Sequence, residues 1–165
     1  MVLIRDYDPQ DAAQLEYCIV ELQSFEKTIE PNRADGQKIA PAYRERLLTQ
    51  CNQSQGRIFV AQVDGMVIAF ICVLSRLDEE ELIEENPEYA YITDVIVLPT
   101  YRGRGIGRAL LQHAEAYALQ QGAAVLKVDV LAANTVAREL YMRMGYHEHE
   151  IRLRKRLEPV SQPAA

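Results

Sequence analysis

Apolar and polar residues follow strand-like patterns in separate regions of the chain. We expect strands at residues 2–7, at 57–76 around Asp64-Gly65, at 89–98 and at 125–130. Asp-Gly is a pair that a tight type I′ turn favours, because both of its central residues take a positive φ. The region 57–76 is therefore predicted to be a β-hairpin. Residues 146–157 alternate charged and apolar residues and predict one or two closing strands.

Two regions before the hairpin carry apolar residues at helical spacing. Residues 8–27 open with an Asp-Pro pair, which is a helix-start signal, and Pro31 ends the pattern. A second helix is expected near residues 39–51. The chain therefore begins with one strand and two helices.

Two more helices are predicted in the second half of the chain. One follows a glycine-rich turn, has its apolar face at Ile106, Leu110, Ala114 and Tyr117, and ends at Gly122. The other spans residues 134–144, begins at an Asn and ends at a Gly. The complete order is β-α-α-β-β-β-α-β-α followed by one or two strands. This order predicts an α/β (α+β) fold with a mixed sheet flanked by helices.

The length of 165 residues fits one domain, which we place at residues 1–157. Residues 158–165 contain two prolines and are predicted to be a frayed tail. No internal repeat divides the chain.

Composition narrows the function classes. A net charge of −6 argues against a nucleic-acid-binding domain. The N-terminus has no signal-peptide pattern, and no stretch of about 18 apolar residues predicts a membrane span. Cys18, Cys51 and Cys72 are scattered and odd in number, which is typical of reduced thiols in a cytoplasmic protein. We expect Cys72 to lie in the core.

The segment VLPTYRGRGIGRALL places three glycines between a strand and a helix start. Backbone N–H groups and the positive end of the helix dipole converge at such a place, and glycine lets an anion approach them closely. Three arginines, Arg102, Arg104 and Arg108, add positive charge. The segment fits neither the Walker A pattern nor the dinucleotide-binding GxGxxG pattern. It therefore predicts a site for another phosphorylated ligand.

This segment resembles the acetyl-CoA-binding segment of the GNAT superfamily of N-acetyltransferases. Its pattern of Gln or Arg, two residues, Gly, one residue and Gly or Ala is filled by Arg102, Gly105 and Gly107. A second signature of the family is present as Asn134, Ala137, Leu140-Tyr141 and Gly145-Tyr146. The resemblance covers residues 89–146. It implies a mixed, mostly antiparallel central sheet whose two parallel central strands splay apart.

The resemblance also implies how acetyl-CoA, the co-substrate, would bind. The backbone of Val95, Ile96 and Val97 would pair with the pantetheine arm like an added strand. The pyrophosphate would lie in the turn formed by Arg102, Gly103, Arg104, Gly105, Ile106, Gly107 and Arg108. Asn134, Ala137 and Tyr141 share one helical stripe along which the acyl chain would lie. Alternatively, Asn134 is only a helix cap and Tyr141 only a core residue.

The expected reaction is direct attack of a primary amine on the thioester in a ternary complex. A backbone N–H near Val97 would stabilise the oxyanion, and Tyr141 would protonate the leaving thiolate. Asp94 or Tyr91 would relay the proton of the amine, although Asp94 is equally interpretable as a structural residue. Glu88 is a weaker candidate base. A non-catalytic acyl-CoA-binding regulatory module is the alternative function.

The acceptor amine is left open by the sequence. Seven acidic residues between Asp78 and Glu88 would attract a cationic acceptor, or they form a solvated loop. Both small molecules and peptide ends remain candidates, and a homodimer is compatible with the family. His147 and His149 share one face of a predicted strand, but two such residues without a third ligand do not predict a metal site.

Overall fold

The computed structural model describes residues 1–78 and 88–155. The strands and helices follow one another in the order β1 Leu3–Asp6, α1 Ala12–Ile29, α2 Gly36–Gln53, β2 Arg57–Val63, β3 Met66–Asp78, β4 Glu88–Val97, α3 Ile106–Gln120, β5 Leu126–Val128 and α4 Thr135–Arg143. Short 3-10 turns at Pro9–Asp11 and Pro99–Tyr101 precede α1 and α3.

The five strands form one sheet in the order β1-β2-β3-β4-β5. The pairs from β1 to β4 are antiparallel, and β5 runs parallel to β4. The predicted mixed, mostly antiparallel sheet flanked by helices is therefore confirmed.

Local sequence signals set most of the element boundaries. Asp64 and Gly65 take φ values of 48° and 84°, as the predicted type I′ hairpin requires. The helix α2 begins three residues earlier than the predicted residue 39, because the Asp35 side chain accepts a hydrogen bond from the Gln37 backbone N–H at 3.1 Å. Gly36 lies against α1, where a Cβ would be 2.9 Å from the Cα of Val20.

The helices cover opposite faces of the sheet. On one face, the ring of Phe59 in β2 lies 5.8 Å from the ring of Tyr117 in α3. On the other face, Cys72 of β3 lies 3.6 Å, sulfur to sulfur, from Cys51 of α2. Both thiols are free and buried, and Cys72 is a core residue as expected. We call these the α3 face and the α2 face.

A bulge in β4 decides which of its side chains point to each face. Cys72 is paired with Asp94, but the next residue of β3, Val73, is paired with Ile92, so Thr93 is an extra residue. Because directly paired residues share a face, Asp94 lies with Cys72 on the α2 face. Val95 is paired with Ile71, which is paired with Phe59, and so lies on the α3 face.

The parallel strands β4 and β5 pair over a short distance and then part. Their register runs from Ala90 opposite Leu126 to Ile92 opposite Val128 and stops there, whereas β4 continues to Val97. The splayed parallel strands implied by the family resemblance are confirmed. β5 is shorter than the predicted 125–130 because pairing with β4 ends at its third residue.

The prediction of closing strands at residues 146–157 is wrong for the described part, residues 146–155, which forms no strand. Alternation of charged and apolar residues assigns faces to a strand, but a strand also needs a hydrogen-bonded neighbour. The outermost strand, β5, has only three residues. Ile151 and Leu153 are 78% and 89% exposed.

Two other parts of the sequence analysis fall outside the described residues. These parts are residues 79–87 of the acidic segment and the predicted tail, residues 158–165. The hypotheses about both stay predictions. None of the helices in the described ranges is both long and apolar enough to span a bilayer.

We expect Leu47→Ala to lower the free energy of unfolding by about 2–5 kcal/mol. Leu47 is fully buried where α2 packs on the sheet, so truncation removes apolar contacts and leaves a cavity. Chemical denaturation measures the change. Leu119→Ala is the matched control on α3, since Leu119 is 72% exposed and its loss should change stability by less than about 0.5 kcal/mol. Equal losses in both variants would contradict this packing.

Candidate functional site

The second half of β4 presents an open main-chain edge. The backbone N–H of Leu98 donates to Ile68 of β3 at 2.9 Å. Hydrogen-bonding direction alternates along an antiparallel strand, so the peptide groups of Ile96 also face β3. Those of Val95 and Val97 face the side from which β5 has parted. The candidate backbone contacts therefore reduce to Val95 and Val97, and Ile96 contributes its buried side chain to the core.

The glycine turn ends at an uncapped helix N-terminus. Gly105 is the N-cap of α3 in a left-handed conformation, with φ 78° and ψ 0°, and no side chain caps the helix. Gly103 also has a positive φ of 74°, and at both glycines a Cβ would meet nothing within 4 Å. The first N–H groups of α3 are thus accessible beside open space, as an anion site requires.

Three separate segments meet at Gly107. A methyl group at this position would lie 3.5 Å from Cδ2 of Leu140 in α4 and 3.7 Å from Cγ2 of Val97 in β4. The start of α3, the end of β4 and the helix α4 are therefore neighbours. The two sequence signatures, which are separated along the chain, are brought together at the parted strands.

The arginines of the turn are held in different ways. Nε of Arg102 donates to the Val97 carbonyl at 2.9 Å, and its guanidinium lies 5.1 Å from the ring centre of Phe25. Arg104 donates to the backbone carbonyl of Thr100 at 3.1 Å. Arg108 is exposed one turn into α3. All three arginines lie in or next to the glycine turn, and Arg102 contacts the open strand edge directly through the Val97 carbonyl.

The helix α4 contributes Asn134, Ala137 and Tyr141. The Asn134 side chain accepts a hydrogen bond from the Ala137 backbone N–H at 3.2 Å. Asn134 therefore caps α4, as the interpretation of this residue as a helix cap predicts. Its amide NH2 group is not used by this cap. Tyr141 is 7% exposed, and burial raises its pKa to about 12. No hydrogen-bond partner of its hydroxyl is found among the described residues, and the phenol stays protonated at neutral pH.

Asp94 is a buried carboxyl group on the α2 face. Only 7% of the residue is exposed, and the Tyr43 hydroxyl of α2 donates to its Oδ1 at 2.6 Å. Burial raises the pKa of Asp94, while the Tyr43 hydrogen bond, the neighbouring Thr93 hydroxyl and the charges of Arg46 and Arg33 oppose that change. Within the described ranges, Oδ2 of Asp94 has no hydrogen-bond partner.

Tyr91 and Glu26 complete the titratable groups near Asp94. Tyr91 is paired with Leu74 and therefore shares the α2 face. Burial and then the negative charge of Asp129 raise the pKa of Tyr91. Burial also raises the pKa of Glu26, which forms a 3.2 Å ion pair with Arg33. Tyr91 and Asp94 are thus placed together, on the face opposite Val95 and Val97.

Tyr43 was missed as a site residue by the sequence analysis. It lies one helical turn before Leu47 and two before Cys51, so its spacing predicts that it faces the sheet. Nothing in the helical pattern identifies the strand or the residue that it meets there. The partner, Asp94, is set by the bulge in β4.

The comparison with protein families decides the classification. Residues 19–146 match the model of the family described as "Acetyltransferase (GNAT) family". The chain belongs to this GNAT family. The resemblance that rested on residues 89–146 therefore extends to α1 and α2.

Two curated relatives share part of their length with this GNAT chain. An uncharacterized N-acetyltransferase of Methanocaldococcus jannaschii is 33% identical over 97 residues, which are 56% of this chain and 40% of the relative. The ribosomal protein bS18-alanine N-acetyltransferase of Escherichia coli K12 is 34% identical over 89 residues, 54% of this chain and 53% of the relative. The matched segments thus span about half or less of these relatives.

A solved structure shows the same GNAT fold. It is an aminoglycoside N-acetyltransferase, AAC(6′)-Iy, in complex with CoA, and it superposes with a TM-score of 0.71. The superposition covers 96% of both chains at 20% sequence identity. Similarity at this level of identity establishes the fold alone.

We expect Asp94→Asn to become more stable relative to the wild type as the pH rises. Because the pKa of Asp94 is raised, the folded wild type binds this proton more tightly than the unfolded chain does, which adds to its free energy of unfolding. The added stability is complete below the pKa of the unfolded state, near 4. That advantage is lost as the pH rises through the folded pKa, because the unfolded state ionises first. Denaturation from pH 3 upward measures the difference in unfolding free energy. Below about pH 4 both proteins are neutral at this position, which is the internal control, and a constant difference at all pH values would contradict the buried charge.

Proposed function

We propose that the protein is an N-acetyltransferase that transfers the acetyl group of acetyl-CoA to a primary amine by direct attack in a ternary complex. The observation that carries the proposal is the open backbone edge at Val95 and Val97, which meets the uncapped N-terminus of α3. Membership of the GNAT family supports the same conclusion.

The proposed acetyl-CoA site fits the residues present. A pantetheine arm carries amide groups that can pair with the main chain of Val95 and Val97 as an added strand does. Its pyrophosphate would be bound by the backbone N–H groups from Gly103 to Arg108 and by the arginines of the turn. Asn134 has an amide NH2 group that its helix cap does not use and that would donate to a polar atom, and the small side chain of Ala137 would leave room along α4.

The chemistry proposed for the α3 face is stabilisation of the oxyanion and protonation of sulfur. The neutral amine nitrogen forms a C–N bond to the thioester carbonyl carbon and loses one N–H proton, the C–S bond breaks, and the departing thiolate takes one proton, so that the net transfer of one proton is from nitrogen to sulfur. The N–H of Val97 is aimed away from β3, where it is available to the oxyanion. Tyr141 is the proposed proton donor, because a phenol with a pKa of about 12 is protonated at neutral pH.

The chemistry proposed for the α2 face is removal of the acceptor's proton. An ammonium group has a pKa near 10.4 and cannot attack until it loses a proton. Asp94 is the proposed base, because burial raises its pKa and one of its oxygens has no partner among the described residues. Tyr91 lies on the same face and would relay the proton through water.

The acceptor is proposed to be a primary amine of a small molecule or of a peptide. The proteins that this chain resembles include one acetyltransferase named for an aminoglycoside and one named for the alanine of a ribosomal protein. A cationic acceptor is favoured by the acidic segment between residues 78 and 88. We expect a cytoplasmic protein; a homodimer is compatible with the family, and the oligomeric state is left open.

The proposal is tested by release of free thiol from acetyl-CoA in the presence of an amine panel. The panel includes an aminoglycoside, a polyamine and a peptide with an N-terminal alanine. Thiol release that requires one of these amines supports the enzyme. Calorimetric binding of acetyl-CoA without thiol release from any amine would instead favour the non-catalytic acyl-CoA-binding module, and absence of binding would reject both functions.

We expect Tyr141→Phe to lower kcat by about 10²-fold and to leave the dissociation constant of acetyl-CoA within about twofold. The substitution removes only the hydroxyl that would protonate the thiolate. Steady-state thiol release and calorimetry measure the two quantities. Tyr146→Phe is the matched control, because the ring of Tyr146 lies 5.6 Å from that of Tyr141. An unchanged kcat in Tyr141→Phe would remove it as the acid.

We expect Gly105→Ala to weaken acetyl-CoA binding by about tenfold, which is about 1.4 kcal/mol. Its Cβ would enter the open space beside the helix N-terminus. Gly122→Ala is the matched control, because Gly122 follows the other end of α3, has a φ of 88° and also faces open space. Both variants should lose about 1–2 kcal/mol of stability from left-handed strain. Equal affinities of the two variants would place the pyrophosphate elsewhere.

A further inference from the structure

One hydrogen bond joins Asp94, on the α2 face of the sheet, to the helix α2. The hydroxyl of Tyr43 donates to Oδ1 of Asp94 at 2.6 Å, an ordinary length for a hydroxyl that donates to a carboxylate. The other carboxyl oxygen, Oδ2, is buried and has no hydrogen-bond partner among the described residues. The two oxygens of the carboxyl group are therefore not equivalent.

We propose that Tyr43 is a positioning residue, which fixes the Asp94 carboxylate through Oδ1 and leaves Oδ2 as the oxygen that accepts the proton of the acceptor amine. This inference rests on the proposed function, since it assumes an amine acceptor on the α2 face. Tyr43 itself does not touch the reacting atoms. It acts through Asp94.

The position of Tyr43 is itself held by packing on both sides. Leu47 and Cys51 follow Tyr43 on the same side of α2, and Cys51 lies 3.6 Å from Cys72, sulfur to sulfur. Cys72 is the residue of β3 that is paired with Asp94. On the outer side, the guanidinium of Arg46 lies 4.3 Å from the centre of the Tyr43 ring. A phenol held in this way keeps one orientation of the carboxyl group.

The titratable and charged groups around Asp94 come from α1, α2, the connection between them, β3 and β4. They are Glu26 on α1, Arg33 between α1 and α2, Tyr43 and Arg46 on α2, Cys72 on β3 and Tyr91 on β4. The carboxylates of Glu26 and Asp94 are balanced by the two arginines. Within this set, the hydrogen bond from Tyr43 is the largest of the effects that favour the charged form of Asp94.

The proton transfer balances without any further reactant. An acceptor ammonium gives one proton to Oδ2, which yields a neutral amine and a neutral carboxylic acid, and the carboxyl group later returns the proton to solvent. Tyr43 keeps its own proton throughout. Burial and the negative charge of Asp94 raise the pKa of Tyr43, so the phenol remains a donor.

Tyr43→Phe is tested by the pH dependence of kcat/KM for the amine. Loss of the hydroxyl removes an interaction that stabilises the charged carboxylate, so the acidic limb of the profile should move to higher pH. At pH values above that limb the rate should stay within about threefold of the wild type. The dissociation constant of acetyl-CoA, which binds at the α3 face, should not change.

Tyr117→Phe is the matched control for the loss of a buried tyrosine hydrogen bond. The Tyr117 hydroxyl also donates at 2.6 Å, to the Gln55 carbonyl, but it lies on the α3 face of β2. Its removal should affect stability and leave the pH profile in place. A limb that moves equally in both variants, or in neither, would overturn the proposal.

A second measurement does not depend on turnover. Carbon-13 NMR of labelled aspartate, with the Asp94 signal assigned from its loss in Asp94→Asn, follows the titration of this carboxyl group. Its midpoint should be higher in Tyr43→Phe than in the wild type or in Tyr117→Phe, and an unchanged midpoint would refute the role of Tyr43. If Asp94→Asn retains the acidic limb of kcat/KM, Asp94 is not the base and the inference fails, whereas amine-dependent thiol release would still support the acetyltransferase.

Discussion

The main-chain groups of β4 beyond Ile92 are the feature on which the site depends. A strand inside a sheet normally satisfies its N–H and C=O groups on both sides. Here β3 satisfies one side, but β5 stops pairing after Val128 and leaves the other side open. This opening lies within the sheet, between helices on both faces. A ligand with strand-like amide groups can pair with such an edge, just as another chain can pair with a free outer edge of a sheet.

The bulge at Thr93 places the candidate site residues of β4 on two different faces of the sheet. It places Asp94 against α2 while Val95 faces α3. The glycine turn and α4 approach the strand end from the α3 face, where Gly107 brings Leu140 and Val97 together. In the proposed reaction, the group that protonates sulfur and the group that accepts a proton from nitrogen would therefore act from opposite faces.

The burial of Asp94 has a cost that the structure only partly offsets. Taking a carboxylate out of water disfavours its charged form, and the Tyr43 hydrogen bond, the Thr93 hydroxyl and two arginines counteract this. Local departures from a consistent core are expected where function requires them.

Features that depend on neighbours in the chain were determined by the sequence. Asp64-Gly65, Gly105 and Gly145 take the positive φ values that their turns need, and Asn134 caps α4, because each effect spans only a few residues. The family signatures likewise identify the glycine turn and α4. Only the tertiary structure decided that Asp94 accepts a hydrogen bond from Tyr43, that Ile96 is paired with Phe70 of β3, and that residues 146–155 form no strand. These outcomes depend on which strand supplies the neighbouring hydrogen bonds, and a single extra residue in β4 reverses the face of every side chain after it.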